Sequence, residues 1–315
     1  DRRHLWIRSR KMIAILKIRS SVTGALHEYF RSKGFYEFQS PILIPGGAEN
    51  GPSLFSVDYF GKKMYLAQTW QLYAEAAMYS LEKVYCIAPS FRAEKSKTSR
   101  HLTEYWHTEM EVAWAKLSEI IDYAEEMIKY VLRKVLEKNK DELKLLARDI
   151  KKLEPSLKKR FPRVTYEQVL KILKEKKKIN ILWGKDLRTV EEEQFMEFYD
   201  TPVFITNYPK EIMAFYKPID QKNPKTALCF DMLAPEGNGE LIGGSERDTN
   251  INELKKSLKA KGEKLEDYDY YFDIHSYGAI PHGGFGLGTE RLIKWICGLD
   301  TINDAIGFPR TMTRF

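Results

Sequence analysis

Residues 84–114, VYCIAPSFRAEKSKTSRHLTEYWHTEMEVAW, constrain the fold more tightly than any other stretch of the chain. Two runs separated by the turn-prone segment KSKTS predict a pair of strands, one at about 84–94 and one running to about 112. Strand side chains alternate between faces. Leu102, Glu104, Trp106, Thr108, Met110 and Val112 would therefore share one face, and Thr103, Tyr105, His107, Glu109 and Glu111 the other. Arg92 and Glu94 point the same way as each other. One sheet face would then carry an arginine, an aromatic ring, a histidine and several carboxylates. Buried charges need partners or ligands, so this face is either a site or a salt-bridged outer surface.

The 315 residues are enough for one large domain or two ordinary ones. A net charge of +7 fits a polyanionic partner without requiring one. Cys86, Cys229 and Cys297 are isolated, which argues against a zinc site or a disulfide framework and for a reduced, cytoplasmic setting. No apolar run approaches the ~20 residues of a membrane span, and the charged start DRRHLWIRSRK lacks a secretory signal core.

Residues 9–33 predict a helix, with Ile13, Leu16, Leu26, Tyr29 and Phe30 as core candidates and Gly34 as its stop. An extended segment, FYEFQSPILIP, follows, and then a glycine-rich turn at 45–53. Residues 67–75 lead into an apolar helix. From 117 to 153 apolar residues recur at helical spacing, and the pairs Thr165/Gln168 and Thr189/Glu192 read as capping boxes. In 227–248, Asp231 lies within an apolar strand and Glu240 follows a Pro-Gly-rich turn. A hairpin could bring the two carboxylates together as hard oxygen ligands for Mg2+ beside a phosphate. Residues 250–262 and 265–277 predict helices. In PHGGFGLGTERLIKWI, glycines suit a flat strand, and the helix opened by Thr289-Glu290-Arg291 is a natural phosphate site.

Phe91-Arg92-Ala93-Glu94 followed by Arg100-His101-Leu102-Thr103-Glu104 resembles motif 2 of the class II aminoacyl-tRNA synthetases, in the aspartyl/asparaginyl branch. Residues 281–296 resemble motif 3, Gly243-Gly244-Ser245-Glu246-Arg247 matches the family's GGSxR, and Gln68-Thr69-Trp70-Gln71-Leu72-Tyr73 is similar to its QSxQLY segment. The helix, glycine, strand and Pro41 of the first forty-one residues resemble motif 1. The resemblance runs over essentially the whole chain and is nearest to the archaeal-type asparaginyl enzymes.

That resemblance implies an α+β fold, a mostly antiparallel sheet flanked by helices, assembled as a homodimer. It implies activation of asparagine with ATP and Mg2+ to an adenylate, and transfer to tRNA. Residues 1–10 would be the hinge from a preceding anticodon-binding domain and 11–315 the catalytic domain, with a mostly helical elaboration at about 117–200. Arg92 would hold the α-phosphate, Glu94 and Tyr105 the adenine, Arg100, His101 and Arg291 the outer phosphates, and Asp231 and Glu240 the metal that bridges them. Glu49, Gln68, Gln71, Glu75 and Arg247 would hold the amino acid, with Glu75 accepting from the amide nitrogen of asparagine and Arg247 donating to its oxygen. Two departures stand out: Trp70, at a position normally small, and Glu49-Asn50-Gly51-Pro52, where relatives carry EGGA. They leave two rivals, a paralogue that makes free asparagine from an aspartyl adenylate and ammonia, and a non-catalytic amino-acid or adenylate sensor.

Overall fold

A computed structural model describes residues 2–46, 54–94 and 101–314. The short helix α1 (Arg3–Trp6) precedes α2 (Arg10–Ser32), where the Ser9 hydroxyl accepts from the Met12 N–H at 3.3 Å. Strand β1 (Tyr36–Glu37) follows, and β2 (Leu43–Ile44), β3 (Ser56–Tyr59) and β4 (Lys62–Leu66) form a small separate sheet. Helix α3 (Gln71–Leu81) leads into the hairpin of β5 (Lys83–Phe91) and β6 (Glu104–Ala113). The helical stretch then comprises α4 (Leu117–Lys138), α5 (Lys140–Leu145), α6 (Glu154–Lys158), β7 (Arg163–Thr165), α7 (Tyr166–Ile172) and α8 (Thr189–Met196). Strands β8 (Val203–Thr206), β9 (Ile219–Asp220), β10 (Asn223–Ala227), β11 (Cys229–Ala234) and β12 (Gly239–Glu246) come next. Helices α9 (Ile251–Ala260) and α10 (Asp269–Ser276), strand β13 (His282–Gly288) and helix α11 (Thr289–Cys297) complete the order.

The principal sheet runs β1-β5-β6-β13-β12-β11-β8-β7 and is antiparallel except for the β1–β5 and β7–β8 pairs at its edges. This is the expected α+β architecture. The alternation predicted for β6 holds: Met110 and Val112 enter the main core with Tyr85, Phe230, Phe285 and Leu287. Helices α2, α4 and α11 pack on that face. The opposite face carries the polar set, and α3 covers only its β5–β6 end, through Trp70, Ala74 and Met78 against Val84 and Cys86.

Four local expectations are revised. β5 ends at Phe91, so Arg92 and Glu94 sit just past the strand, with the Arg92 N–H still donating to the Thr103 carbonyl at 2.9 Å. Ile13 is 44% exposed, because it lies on the side of α2 away from the sheet. The helix expected through residue 153 breaks at Asn139, and α4 belongs to the main core rather than to an appended layer. Thr165 does cap α7, but Thr189 is itself helical; Glu191 accepts from the Arg188 N–H at 2.7 Å and closes that end one residue earlier.

Among the described residues no helix is long and apolar enough to cross a membrane.

Gly284 lies opposite Glu111 on β6, and a Cβ there would overlap the Met110 carbonyl oxygen and the Glu111 carboxylate. The backbone oxygen cannot rotate away. Gly284→Ala is expected to lower stability by about 2 kcal/mol or more in urea unfolding. An unchanged midpoint would show that β6 and β13 can separate without cost.

Candidate functional site

The site is built on one row of residues across the principal sheet. Cys86, Glu109, Gly286, Gly243 and Asp231 are successive cross-strand partners on β5, β6, β13, β12 and β11. Partners in register share a face, so two acids flank a bare floor made by two glycines. Three strand spacings put their backbones about 14 Å apart, leaving an open cleft of about 330 Å3 between them. Gly286 is needed because a Cβ there would collide with the imidazole of His107. Arg92, His107, Glu240 and Gly286 line both this cleft and a smaller pocket beside it, so the two form one continuous depression.

The smaller pocket holds Arg92, Glu94, His101, Tyr105, His107, Glu240 and Arg291. The Arg92 guanidinium lies 5.7 Å from the centre of the Tyr105 ring. Arg291 donates to the Glu240 carbonyl at 2.8 Å and approaches its carboxylate at 3.3 Å. Burial lowers the pKa of His101, and the nearby positive charge of Arg291 lowers it further. The sequence-predicted nucleotide residues within the described chain thus lie together, drawn from the end of β5, from β6, from β12 and from the start of α11. Arg100 and Glu49 lie outside the described residues.

The larger cleft is lined by Thr69, Gln71, Glu109, Tyr216, Lys217, Asp231 and Arg247, among others. Arg247 is buried, pairs with the Glu111 carboxylate, donates to the Ser245 hydroxyl at 2.7 Å and lies 5.0 Å from the centre of the Tyr216 ring. Its charge persists against burial because Glu111 and Tyr216 favour it. Glu109 is fixed by the Thr69 hydroxyl, by the Trp70 N–H at 2.9 Å and by His107 at 3.3 Å. Gln68 is buried beside this turn.

Glu75 is placed differently from the expectation. It is fully buried and does not line the cleft; it stands one layer behind Gln71. Its Oε1 accepts from Gln71 Nε2 at 3.0 Å, while its Oε2 accepts from the Tyr271 hydroxyl at 2.8 Å and faces His282 Nε2 at 2.9 Å. Burial opposes its charge, but His282 outweighs that and holds the carboxyl below its ordinary value. Trp70 also faces away from the cleft, donating to the Phe38 carbonyl at 2.8 Å within the apolar layer under α3.

No cluster of three or more metal-binding side chains occurs among the described residues. Asp231 and Glu240 nevertheless converge: their oxygens lie 3.4 and 3.2 Å from the point where a Gly243 Cβ would sit. Burial pushes the Asp231 carboxyl up and Glu240 pushes it further, whereas Glu240 stays ionised against burial through Arg291 and Arg92. Two like-charged hard oxygen donors at one point suit a divalent cation whose shell is completed by phosphate and water.

Sequence reasoning did not assign His107, Glu109, Thr69, Asp186, Tyr216 or Lys217, all of which line the depression. His107 and Glu109 were readable from the alternation of β6. Asp186, Tyr216 and Lys217 come from connecting segments with no periodicity to reveal them.

Residues 1–312 match the family model described as tRNA synthetases class II (D, K and N). An asparagine–tRNA ligase of Thermoplasma acidophilum is 48% identical over 314 residues, covering all of this chain and 73% of that protein. Among solved structures, asparaginyl-tRNA synthetase from Pyrococcus horikoshii, complexed with asparaginyl-adenylate, aligns with a TM-score of 0.97 at 44% identity. That alignment covers 100% of this chain and 72% of the other. The Entamoeba histolytica asparaginyl-tRNA synthetase, also with asparaginyl-adenylate, gives a TM-score of 0.90 at 32% identity over 99% of this chain and 70% of that one.

His282→Ala would leave the Glu75 carboxylate with Gln71, Tyr271 and, at 3.9 Å, His275, and is expected to cost about 3 kcal/mol in urea unfolding at neutral pH. Folding lowers the Glu75 carboxyl from its ordinary 4.5. Its contribution is therefore complete above that pH and declines as pH falls below it. The penalty should shrink as pH falls from about 4.5 to about 2; a penalty flat across that range would mean that no ion pair is lost.

Proposed function

The chain belongs to the class II tRNA synthetases of the D, K and N group, and from that premise we propose that it activates asparagine with ATP and transfers it to tRNA. The observation that carries this reading is the single depression in which Arg92, Arg291 and the Asp231–Glu240 pair stand next to a polar cleft ending at Arg247. The two relatives solved with asparaginyl-adenylate support it. They favour asparagine ligation over the aspartyl-adenylate paralogue and the sensor. Trp70, one of the two departures that kept those rivals open, points away from the substrate cleft.

ATP lies along the glycine strand β13, with its base between Tyr105 and Glu94 and its outer phosphates at His101 and Arg291. Asparagine occupies the larger cleft. Its carboxylate attacks the α-phosphate in line; the asparaginyl adenylate forms and pyrophosphate leaves. Arg92, at the junction of the two pockets, stabilises the charge that develops on the α-phosphate oxygens. Catalysis is otherwise positioning: each reactant is held by groups that are themselves held. Mg2+ on Asp231 and Glu240 neutralises phosphate charge when bound.

Selection of asparagine begins behind the cleft. An ionised carboxylate only accepts, so Glu75 requires the Gln71 amide to turn its NH2 group inward. The Gln71 carbonyl oxygen is then left for the substrate amide nitrogen, which asparagine has and aspartate lacks. Arg247 donates to the amide oxygen, and the buried charge of Glu75 opposes a second carboxylate. The active form is a homodimer whose contact includes Ile13 on α2 and Tyr36 on β1, both exposed in the single chain. Three buried free cysteines agree with a reduced, cytoplasmic setting.

Arg92→Ala should reduce asparagine-dependent pyrophosphate exchange by about a thousandfold or more, with the fold intact by circular dichroism. Near-normal exchange would remove the mechanism. Glu75→Gln should narrow the preference for asparagine over aspartate, read as the ratio of exchange efficiencies. A parent that activates both equally, or a ratio indifferent to Glu75, would refute the specificity assignment.

A further inference from the structure

One buried carboxylate in the nucleotide pocket has no part in the scheme above. Glu290 is the second residue of α11, directly before Arg291; it lines the pocket with Tyr105 and His107 yet is 1% exposed. Its Oε2 accepts from the Trp106 N–H at 3.0 Å, between Tyr105 and His107 on β6. One residue before Glu290 on α11 and two residues after Trp106 on β6, the Thr289 and Thr108 hydroxyls meet at 2.9 Å. The start of α11 is therefore pinned to the strand that carries the base-facing side chains.

The counter-charge arrives from the far side of the sheet. Arg19, in the middle of α2, places Nη2 2.7 Å from Glu290 Oε1. It donates from Nη1 to the Ala305 carbonyl at 3.2 Å, and its own side chain is 16% exposed. Burial raises the Glu290 carboxyl and Arg19 opposes that rise. Without the guanidinium, a nearly solvent-free carboxylate would stand on the wall of a pocket that takes a polyanion.

We propose that Arg19 is a positioning residue for ATP, acting through Glu290 to hold the two walls of the nucleotide pocket in register and to neutralise that buried carboxylate. The proposal rests on the reading that this pocket binds ATP. It predicts an effect confined to the nucleotide, because the asparagine cleft is lined by neither residue. A residue that merely stapled α2 to α11 would lower stability while leaving both substrates equally affected.

The test measures ATP affinity by calorimetry with Mg2+ and no amino acid, together with KM for ATP and for asparagine in pyrophosphate exchange. The parent is compared with Arg19→Met and Arg19→Lys, with Arg19→Gln carrying the same comparison should the methionine variant not fold. The neutral variants are expected to weaken ATP by about tenfold or more, with KM for asparagine within about twofold. Arg19→Lys keeps the charge and should recover most of the loss. Combining Arg19→Met with Glu290→Gln should also recover it, since glutamine can accept from Trp106 without leaving a buried charge. ATP affinity unchanged in the neutral variants, or both KM values rising together, would overturn the assignment. A parent that binds ATP but exchanges pyrophosphate with no amino acid would count against the proposed function alone; one that does not bind ATP would sink both.

Discussion

The depression exists because four antiparallel strands stay in register where two of them have no side chains. Glu109, Gly286, Gly243 and Asp231 form one cross-strand row, and any residue larger than glycine in its middle would fill the space between the acids. At Gly286 a Cβ meets His107, and at neighbouring Gly284 it meets the backbone of β6. The opposite face fills the intervening rows, with Phe285 and Leu287 of β13 against Met110, Phe230 and Ile242. Alternation thus divides one sheet into a packed side that supplies stability and a bare side that supplies room. A one-residue slip between β6 and β13 would exchange the two and destroy both.

The bare side brings many charges out of water, and the structure meets that cost by pairing. Glu111 faces Arg247, Glu75 faces His282, Glu109 faces His107, Glu240 faces Arg291 and Glu290 faces Arg19. Apart from Glu109 and His107, which are neighbours on β6, each pair joins two elements distant in sequence, so neutralising the carboxylates also fixes the pocket walls. Asp231 is different: burial raises its pKa, and its neighbour, the partly exposed acid Glu240, raises it further. The two carboxylates meet where the phosphates of a nucleotide would need a cation. Pairing elsewhere and imbalance here assign separate tasks to chemically similar side chains.

Much of this was legible in the chain, for reasons that can be stated. The hairpin of β5 and β6 was readable because period two is the strongest signal a strand carries, and Tyr105, His107, Glu109 and Glu111 fell on the polar face it predicted. Asp231 and Glu240 were readable because a turn between apolar runs returns the strand upon itself. Depth was not readable. Glu75 sits four residues after Gln71, which places both on one side of α3, but nothing local says that Tyr271 and His282 close over it. Thr189 failed as a cap because a serine, threonine or asparagine near a helix start is only one way to satisfy its free N–H groups. Here Glu191 reaches back to Arg188. Lys217 and Asp186 reach the cleft from connecting segments, where neither spacing nor propensity points anywhere.

In the proposed reading, Glu75 sets a substrate preference from outside the cleft. A side chain lining a pocket contributes both shape and charge, and replacing it changes both. A carboxylate behind the wall changes neither the volume of the cleft nor its lining. It fixes which end of the Gln71 amide faces inward and adds a field that penalises a second negative charge. Its own ionisation depends on His282, which is held in turn at Nδ1 by the Ile280 carbonyl at 2.8 Å. A buried chain of hydrogen bonds thus runs from His282 on β13 through Glu75 to Gln71 on α3, and the proposed specificity rests on it. Every member of that chain is either satisfied or costly to leave unsatisfied, so the orientation of Gln71 follows from the packing of three elements rather than from the presence of substrate.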